Sequence, residues 1–509
     1  MPVEETKSYW LESTPATNYP TLDKDISADV AVIGGGLAGI TTAWLLKQEG
    51  LQVVVLEADR VCQGTTGHST AKITSQHDLI YATLDKEFGR EKAQQYADAN
   101  ETAVKTMADI VEAHKIDCDF QWQPAFVYTE QDKYVEEIER EAEIAKVLGI
   151  AAEYVQDPGL PFAVKAALRF DNQAQFHPRK YVLALAQAIP GDGCEIYENT
   201  KVVGLEEGTI TTISLASGKK VRADRVVLAT HFPIHDGLGF YFARMYPERS
   251  YILACRTEGK LPQGMFITAE SPGRSLRTQP DEEGDLLLVG GEHHKTGAGK
   301  GMVHFQNLMK FAEANFTVTD IPHRWSAQDY TTLDNIPFIG KIRKGVDNIF
   351  VATGFRKWGI STSTVAGLVI RDMMLWGSSP WQDVFSPQRG LSLKSAGKLI
   401  SINADVAKEL VAGKLAGTEG GEIPRGEAKV ISGEGTKVGA YRDEQGKLHL
   451  VDITCTHFGC ELKWNSAEKT WDCPCHGSRF SADGSIVDGP ALKPLGSFPA
   501  EHDIDPDII

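Results

Sequence analysis

Long hydrophobic runs are absent from this chain of 509 residues. No apolar stretch approaches the ~20 residues that a membrane-spanning helix needs, and the acidic start Met1–Lys7 lacks the apolar region of a signal peptide. Positive charge is also scarce, because 52 Lys and Arg stand against 69 Asp and Glu, a net charge of −17. A field of this sign repels nucleic-acid phosphates and anionic lipid headgroups. The sequence therefore predicts a cytoplasmic protein with no nucleic-acid partner and no membrane span.

Cysteine is rare and unevenly placed. Four of the eight cysteines are scattered singly: Cys62, Cys118, Cys194 and Cys255. The other four fall close together near the C-terminus: Cys455, Cys460, Cys473 and Cys475. Scattered cysteines in a cytosolic chain are usually small buried hydrophobes, whereas cysteines clustered with histidines usually hold a metal. The sequence therefore directs the search for a metal to the last quarter of the chain.

A glycine-rich turn joins the first predicted strand to a helix. Residues 29–33 and 51–56 are apolar runs typical of buried strands, and a helix is predicted between them over 40–48. The turn carries the glycines of a GxGxxG pattern: Gly34, Gly36 and Gly39. Glu57 follows the second strand, 18 residues after the last of these glycines.

In this context the pattern indicates a dinucleotide site rather than a turn without a ligand. The first glycine allows a tight turn, the second lets the backbone approach a pyrophosphate, and the third lets the helix pack on the strand. The N-terminus of the helix stabilises the anion. Glu57 is predicted to accept hydrogen bonds from the ribose hydroxyls of the adenosine.

Further along the chain, strands and helices are mixed as far as residue 376. Helices are predicted over 91–115 and 133–148, buried strands over 226–230 and 349–352, a β-rich stretch over 249–291, and a helix ending near 374. Residues 377–421 are rich in Ser, Pro and Gly around one short predicted helix, 404–415, and are interpreted as a tether. From residue 422 short strands and turns predict an all-β module.

Four segments after the opening unit carry a resemblance to a known family. They are 60–74 (RVCQGTTGHSTAKIT), 226–230 (VVLAT), 334–340 (DNIPFIG) and 354–359 (GFRKWG). With the glycine turn they resemble the glycine/D-amino-acid oxidase family of flavoproteins, over about residues 25 to 376. The resemblance implies that the dinucleotide is FAD, and that an interleaved, sheet-rich substrate domain covers the isoalloxazine ring.

The resemblance also implies which residues bind FAD. The implied set is Gly34, Gly36, Leu37, Ala38, Gly39, Glu57, Ala58, Thr65, Thr66, His68, Ser69, Thr70, Lys357, Trp358 and Gly359. The four hydroxyl residues of 65–70 are expected along the pyrophosphate and the flavin. Lys357 to Gly359 are expected beside the flavin N1 and C2 carbonyl, where an ammonium and a helix N-terminus stabilise negative charge. A solvated surface lysine is the alternative for Lys357.

His68 has two interpretations. Its segment resembles the place where some dimethylglycine-oxidising relatives attach flavin covalently to histidine, but the flanking tryptophan and Ala-Ala-Gly are absent here. A hydrogen-bonding or helix-capping histidine is the alternative, since imidazole has several such uses.

Two Cys/His arms lie near the C-terminus. The first reads Cys455-Thr-His457-Phe-Gly-Cys460 and the second Cys473-Pro-Cys475-His476-Gly-Ser. On the residues alone, the two arms could supply the ligands of a Cys₂His₂ zinc site. The extra cysteine pair and the turns around the arms favour a different metal centre, because a zinc site does not need them.

The arms closely resemble those of Rieske 2Fe–2S proteins. The resemblance implies that Cys455 and Cys473 bind one iron and that His457 and His476 bind the other through Nδ1. It also implies a disulfide between Cys460 and Cys475, as in the Rieske subunits of cytochrome bc-type complexes. Phe480 stands where high-potential relatives often have a tyrosine, and the loss of its hydrogen bond is expected to lower the reduction potential.

The predicted fold class is α/β and all-β multidomain. A Rossmann-like FAD-binding domain (1–80, 190–235 and 325–376) is interleaved with an α+β substrate domain (81–189 and 236–324). A linker with a helix (377–420) leads to a small all-β Rieske domain (421–509).

The combination suggests a dehydrogenase or oxidase that takes a hydride from a C–N bond of an amine or amino acid and passes electrons singly through the cluster. Reverse flow from the cluster to FAD, and a Rieske module that acts as a redox sensor or structural appendage, are the alternatives. His293 and His294 are candidate substrate-facing residues, because their segment resembles a Gly-x-His element near the sarcosine-oxidase active site. The sequence identifies no electron acceptor, and it does not assign a carboxylate-binding role among four arginines: Arg249, Arg256, Arg274 and Arg277.

Overall fold

A computed structural model of the chain describes residues 6–236, 239–298, 301–415, 417, 421–433 and 436–498. The helices, in chain order, are α1 (Tyr9–Glu12), α2 (Leu37–Gln48), α3 (Tyr81–Phe88), α4 (Arg90–Ala113), α5 (Val135–Val147), α6 (Pro178–Gln187), α7 (Tyr241–Arg244), α8 (Gly301–Asn315), α9 (Gly359–Trp376), α10 (Gln382–Phe385) and α11 (Leu393–Leu415).

The strands up to residue 228 are β1 (Ile26–Ile33), β2 (Val53–Leu56), β3 (Lys72–Ile73), β4 (Gln121–Trp122), β5 (Ala125–Thr129), β6 (Ala152–Val155), β7 (Ala166–Phe170), β8 (Ala174–Gln175), β9 (Glu195–Tyr197), β10 (Val202–Glu206), β11 (Thr211–Leu215) and β12 (Lys220–Leu228). Those from 245 to 353 are β13 (Met245–Glu258), β14 (Met265–Thr268), β15 (Arg274–Gln279), β16 (Leu286–Lys295), β17 (Thr317–Thr332), β18 (Phe338–Lys341) and β19 (Ile349–Thr353). The remaining strands are β20 (Ala428–Gly433), β21 (Thr436–Arg442), β22 (Leu448–Asp452), β23 (Lys463–Asn465), β24 (Thr470–Asp472), β25 (Arg479–Ser481) and β26 (Ile486–Asp488).

The first large sheet has a parallel centre. Its order is β10-β11-β12-β1-β2-β9, and β19 and β18 continue beside β12. Strand β1 pairs in parallel with β12 and β2, so that Val32 lies opposite Val227 and Val55. The centre of this sheet is rich in buried valine because parallel strands with helices on their faces exclude water from both sides. This confirms the predicted Rossmann-like α/β fold.

The second large sheet is mostly antiparallel. Its order is β17-β13-β16-β15-β14-β5-β7-β6, so β17 lies at one edge. Strands β13 and β17 pair over most of their length, with Glu248 opposite Asp329 and Arg249 opposite Gln328. Strand β17 runs across the predicted domain boundary at residue 324, and its C-terminal half reaches the FAD-binding segments.

The C-terminal part is all-β, as predicted. Strands β20–β22 form a three-stranded antiparallel sheet, and β23–β26 form a four-stranded one. One hydrophobic core contains the four clustered cysteines together with Trp471 and Phe480. Helix α11 contributes Val406 and Leu410 to this core.

The segment before the Rieske domain differs from the expected tether. Helix α11 begins at Leu393, not at Ala404, because Ser392 caps it: the Ser392 hydroxyl accepts a hydrogen bond from the Ser395 N–H at 3.2 Å. Just before it, the buried Arg389 forms an ion pair with Asp334 at 2.7 Å. The segment is therefore packed against the flavoprotein part.

Within the part of the chain that the structure describes, none of the helices combines the length and the apolar character that crossing a bilayer requires.

Candidate functional site

The glycine turn between β1 and α2 has the close packing that its pattern predicts. A Cβ on Gly34, whose φ is +108°, would lie 2.5 Å from the Ala229 carbonyl oxygen, and a Cβ on Gly39 would lie 1.8 Å from the Gly34 oxygen. Gly36 is the N-cap of α2, and a Cβ on it would lie 3.3 Å from the Thr66 hydroxyl. Only glycine fits at 34 and 39, and the residues present fit a bound pyrophosphate.

Glu57 and Thr66 hold this turn together. The Glu57 carboxylate accepts hydrogen bonds from the Gly35 N–H at 2.6 Å and the Asp59 N–H at 2.9 Å. The Thr66 hydroxyl accepts one from the Leu37 N–H at 3.0 Å, at the first turn of α2. Burial raises the pKa of Glu57, against the effect of these N–H donors. Glu57 and Thr66, two members of the predicted FAD set, therefore lie at the dinucleotide turn.

Two further residues of the segment 65–70 contact β17. The Thr65 hydroxyl lies 3.4 Å from the Gln328 carbonyl oxygen, and the Trp325 indole N–H donates to the His68 carbonyl at 2.9 Å. His68 Nδ1 lies 2.9 Å from the Gly64 carbonyl oxygen, which is the hydrogen-bonding alternative for this histidine. Covalent attachment of flavin to His68 stays a hypothesis. Release of free flavin on acid precipitation would exclude it.

A group of charged side chains lies between β13 and the start of α9. Lys357, with a φ of +67°, places its ammonium 3.9 Å from the Glu248 carboxylate, and the Thr331 hydroxyl donates to Glu248 at 2.7 Å. Burial alone would raise the pKa of Glu248, but Lys357 and Thr331 outweigh it and hold the pKa below its usual value. Lys357 therefore has a partly buried charge partner, and Gly359 begins α9 as expected.

The two candidate histidines separate in the structure. His293 Nε2 accepts a hydrogen bond from the Gly273 N–H at 3.3 Å. Burial, and after it the Lys357 ammonium, lower the pKa of His293 to about 4, and Glu248 acts in the opposite direction. His294 instead stacks on His304 at 4.1 Å and lines a small cavity shared with Asp472 of the Rieske domain. Neighbours on a strand point to opposite faces, which separates the pair.

The four candidate arginines have partners within the chain. These are Glu468 for Arg249, Asp281 for Arg256, Glu292 for Arg274, and the carbonyl oxygens of Ala71 and Phe176 for Arg277. We therefore assign none of the four to a substrate carboxylate.

The two Cys/His arms form adjacent loops. The first lies between β22 and β23 and is closed by a hydrogen bond from the Cys455 N–H to the Cys460 carbonyl at 2.8 Å. The second loop joins β24 to β25 and is closed by a hydrogen bond from the Cys473 N–H to the Ser478 carbonyl at 2.8 Å. A disulfide between Cys460 and Cys475 ties the loops together, with an S–S distance of 2.08 Å, as the resemblance implies.

The other four residues of the arms, which the resemblance implies as cluster ligands, lie close together in the structure. The Cys455 and Cys473 thiols are hydrogen-bonded to each other. This bond, together with hydrogen bonds from the His457 backbone N–H and the Ser478 hydroxyl, lowers the pKa of Cys455 to about 6. The His457 and His476 rings are 5.1 Å apart, and Nδ1 of each is buried without a hydrogen-bond partner. Burial lowers the pKa of both to about 4, so both imidazoles are neutral, the form in which histidine can bind a metal. Two thiols and two unpartnered Nδ1 atoms fit a Rieske cluster.

The cluster loops pack against the flavoprotein part. His476 is only 6% exposed. Its ring lies 6.0 Å from that of Phe242, and its carbonyl oxygen accepts a hydrogen bond from the Tyr330 hydroxyl at 3.1 Å. The Gln328 amide donates to the Gly477 carbonyl oxygen at 2.8 Å.

Sequence reasoning missed three residues of this arrangement: Glu248, Gln328 and Tyr330. For Gln328 and Tyr330 the available signal was a run of polar residues in β17, where the last eight residues are all buried. Buried polar side chains need partners, so such a run predicts contacts with other segments. The partners themselves could not be identified without the structure.

With this geometry established, similarity to known proteins defines the class. Residues 29–373 match the DAO family, described as FAD dependent oxidoreductase, and residues 416–499 match the Rieske [2Fe-2S] domain. The chain therefore belongs to the family of FAD-dependent oxidoreductases and carries a C-terminal Rieske domain. Its cofactors are FAD and a 2Fe–2S cluster, which excludes the zinc alternative.

Individual relatives show how far the similarity extends. The chain is 43% identical over 495 residues to YhfW of Bacillus subtilis (strain 168), whose name describes a Rieske 2Fe-2S iron-sulfur protein, with 97% of each chain covered. It is 23% identical to gamma-glutamylputrescine oxidoreductase of Escherichia coli (strain K12), over 73% of this chain and 89% of that protein. The crystal structure of glycine oxidase from Geobacillus kaustophilus has a TM-score of 0.60 at 18% identity, covering 72% of this chain and all of that one, and shows the fold.

Proposed function

We propose that the protein oxidises a C–N bond of an amine or amino acid and passes the electrons through its cluster to a separate one-electron acceptor. The α-carbon of the substrate gives up a hydride and its nitrogen a proton, so that a C=N bond forms and water then hydrolyses it. When bound, FAD supplies the two-electron acceptor and the cluster a one-electron carrier. The observation that carries the proposal is the burial of the His476 loop against the flavoprotein part.

The charged group beside Lys357 supports an amine as substrate. Glu248 stays ionised at neutral pH, so its carboxylate can bind a substrate ammonium, while the proton lost from the nitrogen passes to water. His293 stays neutral, so it can donate or accept one hydrogen bond without adding charge. We assign Glu248 to amine binding and His293 to the border of the substrate site, with the Lys357 ammonium balancing the carboxylate.

The named relatives agree with this substrate class. Gamma-glutamylputrescine oxidoreductase, by its name, acts on an amine, and glycine oxidase, by its name, acts on an amino acid. A cytoplasmic location and the domain boundaries given above remain predictions.

Anaerobic addition of a panel of amines and amino acids to the holoenzyme tests the proposal. One substrate is expected to bleach the flavin absorbance and then produce the EPR signal of the reduced cluster. Bleaching without cluster reduction would instead support a Rieske module that serves as a sensor or structural appendage. Cluster reduction by an external donor, followed by flavin bleaching without any amine, would support reverse flow.

A further inference from the structure

One strand contacts the binding segments of both cofactors. Strand β17 is the edge of its sheet, and Thr331 on it forms an isolated β-bridge with Phe355, just before the segment implied in flavin binding. The Gln328 carbonyl oxygen lies 3.4 Å from the Thr65 hydroxyl, and the Tyr330 carbonyl oxygen accepts the Arg356 N–H at 3.2 Å. The backbone of these two residues therefore contacts segments implied in flavin binding or directly adjacent to them.

The side chains of the same two residues reach the cluster loops. Residues two apart on a strand point to the same face, and here both are buried. The Gln328 amide donates to the Gly477 carbonyl at 2.8 Å and lies 3.1 Å from the Asp488 carboxylate. The Tyr330 hydroxyl lies 3.1 Å from the carbonyl oxygen of His476. Each residue thus connects a flavin segment to a cluster loop with no other residue between.

The surrounding interface is close-packed. A Cβ on Gly297 would lie 2.9 Å from Pro474 of the cluster loop, and a Cβ on Gly477 would lie 2.5 Å from the Pro247 side chain. A buried ion pair, Arg249 with Glu468 at 3.2 Å, joins the two parts on the same face of β13 and β17. Separating the parts would break this ion pair and expose the packed surfaces around Gly297 and Gly477 to water, so the close packing favours a cluster that stays docked.

We propose that Gln328 and Tyr330 are positioning residues that hold the His476 loop against the flavin segments for electron transfer within one chain, without movement of the Rieske domain. This inference rests on the proposed function. In the step concerned, one electron leaves the reduced flavin and the histidine-bound iron goes from Fe(III) to Fe(II), with no bond made or broken. The second electron follows after a one-electron acceptor has reoxidised the cluster.

The test uses the full-length holoenzyme and needs no substrate. A light flash with 5-deazariboflavin delivers single electrons, and the absorbance is followed as flavin and cluster equilibrate. In the wild type we expect a relaxation phase whose rate does not depend on protein concentration. Gln328→Met removes the amide donor and keeps the length of the side chain, and Tyr330→Phe removes one oxygen atom.

Both variants are expected to relax up to about tenfold more slowly, the factor that one hydrogen bond of ordinary strength contributes to the population of the docked loop. Iron content, FAD content and both midpoint potentials should be unchanged, which distinguishes lost positioning from a changed driving force. Thr319→Val is the matched control, because Thr319 is an exposed residue of the same strand whose hydroxyl donates to the Arg256 carbonyl at 3.2 Å, away from the cluster.

If both variants relax at the same rate as the wild type, Gln328 and Tyr330 do not position the loop. A relaxation rate in the wild type that rises with protein concentration would overturn transfer within one chain. If flavin and cluster exchange no electrons in the wild type, the proposed function itself fails. If Gln328→Met loses iron, its relaxation rate cannot be interpreted, and the rate of Tyr330→Phe alone tests the positioning role.

Discussion

The two cofactor sites differ in whether their buried polar groups have hydrogen-bond partners within the protein. At the FAD turn, protein groups already pair with one another: Glu57 accepts the Gly35 N–H and Thr66 accepts the Leu37 N–H. At the cluster, His457 Nδ1 and His476 Nδ1 are buried with no partner among the described residues. Backbone shape therefore prepares the dinucleotide site, whereas the cluster site needs its metal to satisfy buried polar atoms.

The largest effect is expected from breaking the cluster site. Cys455→Ser or His476→Ala should abolish the cluster while FAD is retained, because each variant removes a predicted iron ligand and the FAD turn lies in another sheet. Iron, acid-labile sulfide and flavin measured per chain check this. Cys118→Ala, a buried cysteine with no ligand role, should keep both cofactors. One zinc per chain without sulfide in the wild type would contradict the assignment.

A substitution in the FAD turn should remove FAD and leave the cluster in place. Gly36→Val places a branched side chain toward the Thr66 hydroxyl at the N-terminus of α2, where the pyrophosphate must approach, so FAD binding should be lost while the cluster remains. Gly204→Val is the control, because a Cβ there meets nothing within 4 Å on a strand of the same sheet. Full flavin content in Gly36→Val would show that the pyrophosphate lies elsewhere.

The sequence predicted both sites because each depends on short, local spacing. The glycine turn and the Cys/His arms lie on contiguous segments whose chemistry fixes which residue types are present. The contact of Gln328 with Gly477 joins residues 149 positions apart, and no local pattern encodes it. The choice between His293 and His294 depended on which face of β16 each occupies, and the early start of α11 depended on one capping serine, Ser392.

A smaller effect on the FAD site is expected from Glu57. Glu57→Ala removes the acceptor for two backbone N–H groups as well as the predicted ribose contact, so FAD should bind about tenfold more weakly, the effect of one hydrogen bond of about 1.4 kcal/mol. Glu57→Gln keeps one acceptor oxygen and should lose less. Fluorescence titration of the apoprotein with FAD measures both. Equal affinity in all three proteins would show that Glu57 serves neither the turn nor the ribose.

The smallest expected effect is on the reduction potential of the cluster, through a substitution at Phe480. Phe480 is fully buried in the core that contains the ligand cysteines, and phenylalanine has the shape of the tyrosine in high-potential relatives without its hydroxyl. Phe480→Tyr adds a donor that can reach a ligand sulfur, and that bond is stronger when the cluster carries the extra electron. A hydrogen bond of about 1.5 kcal/mol corresponds to about 60 mV for one electron.

The midpoint potential of the cluster should therefore rise by some tens of millivolts, with iron content unchanged, in an EPR-monitored redox titration of the full chain. Phe240→Tyr is the control, because that ring is half exposed and its added hydroxyl meets water. An equal or lower midpoint in Phe480→Tyr would mean that the ring edge does not face a ligand sulfur. The likeness to the high-potential proteins would then not extend to this position, and the difference between the two sites would rest on the ligands alone.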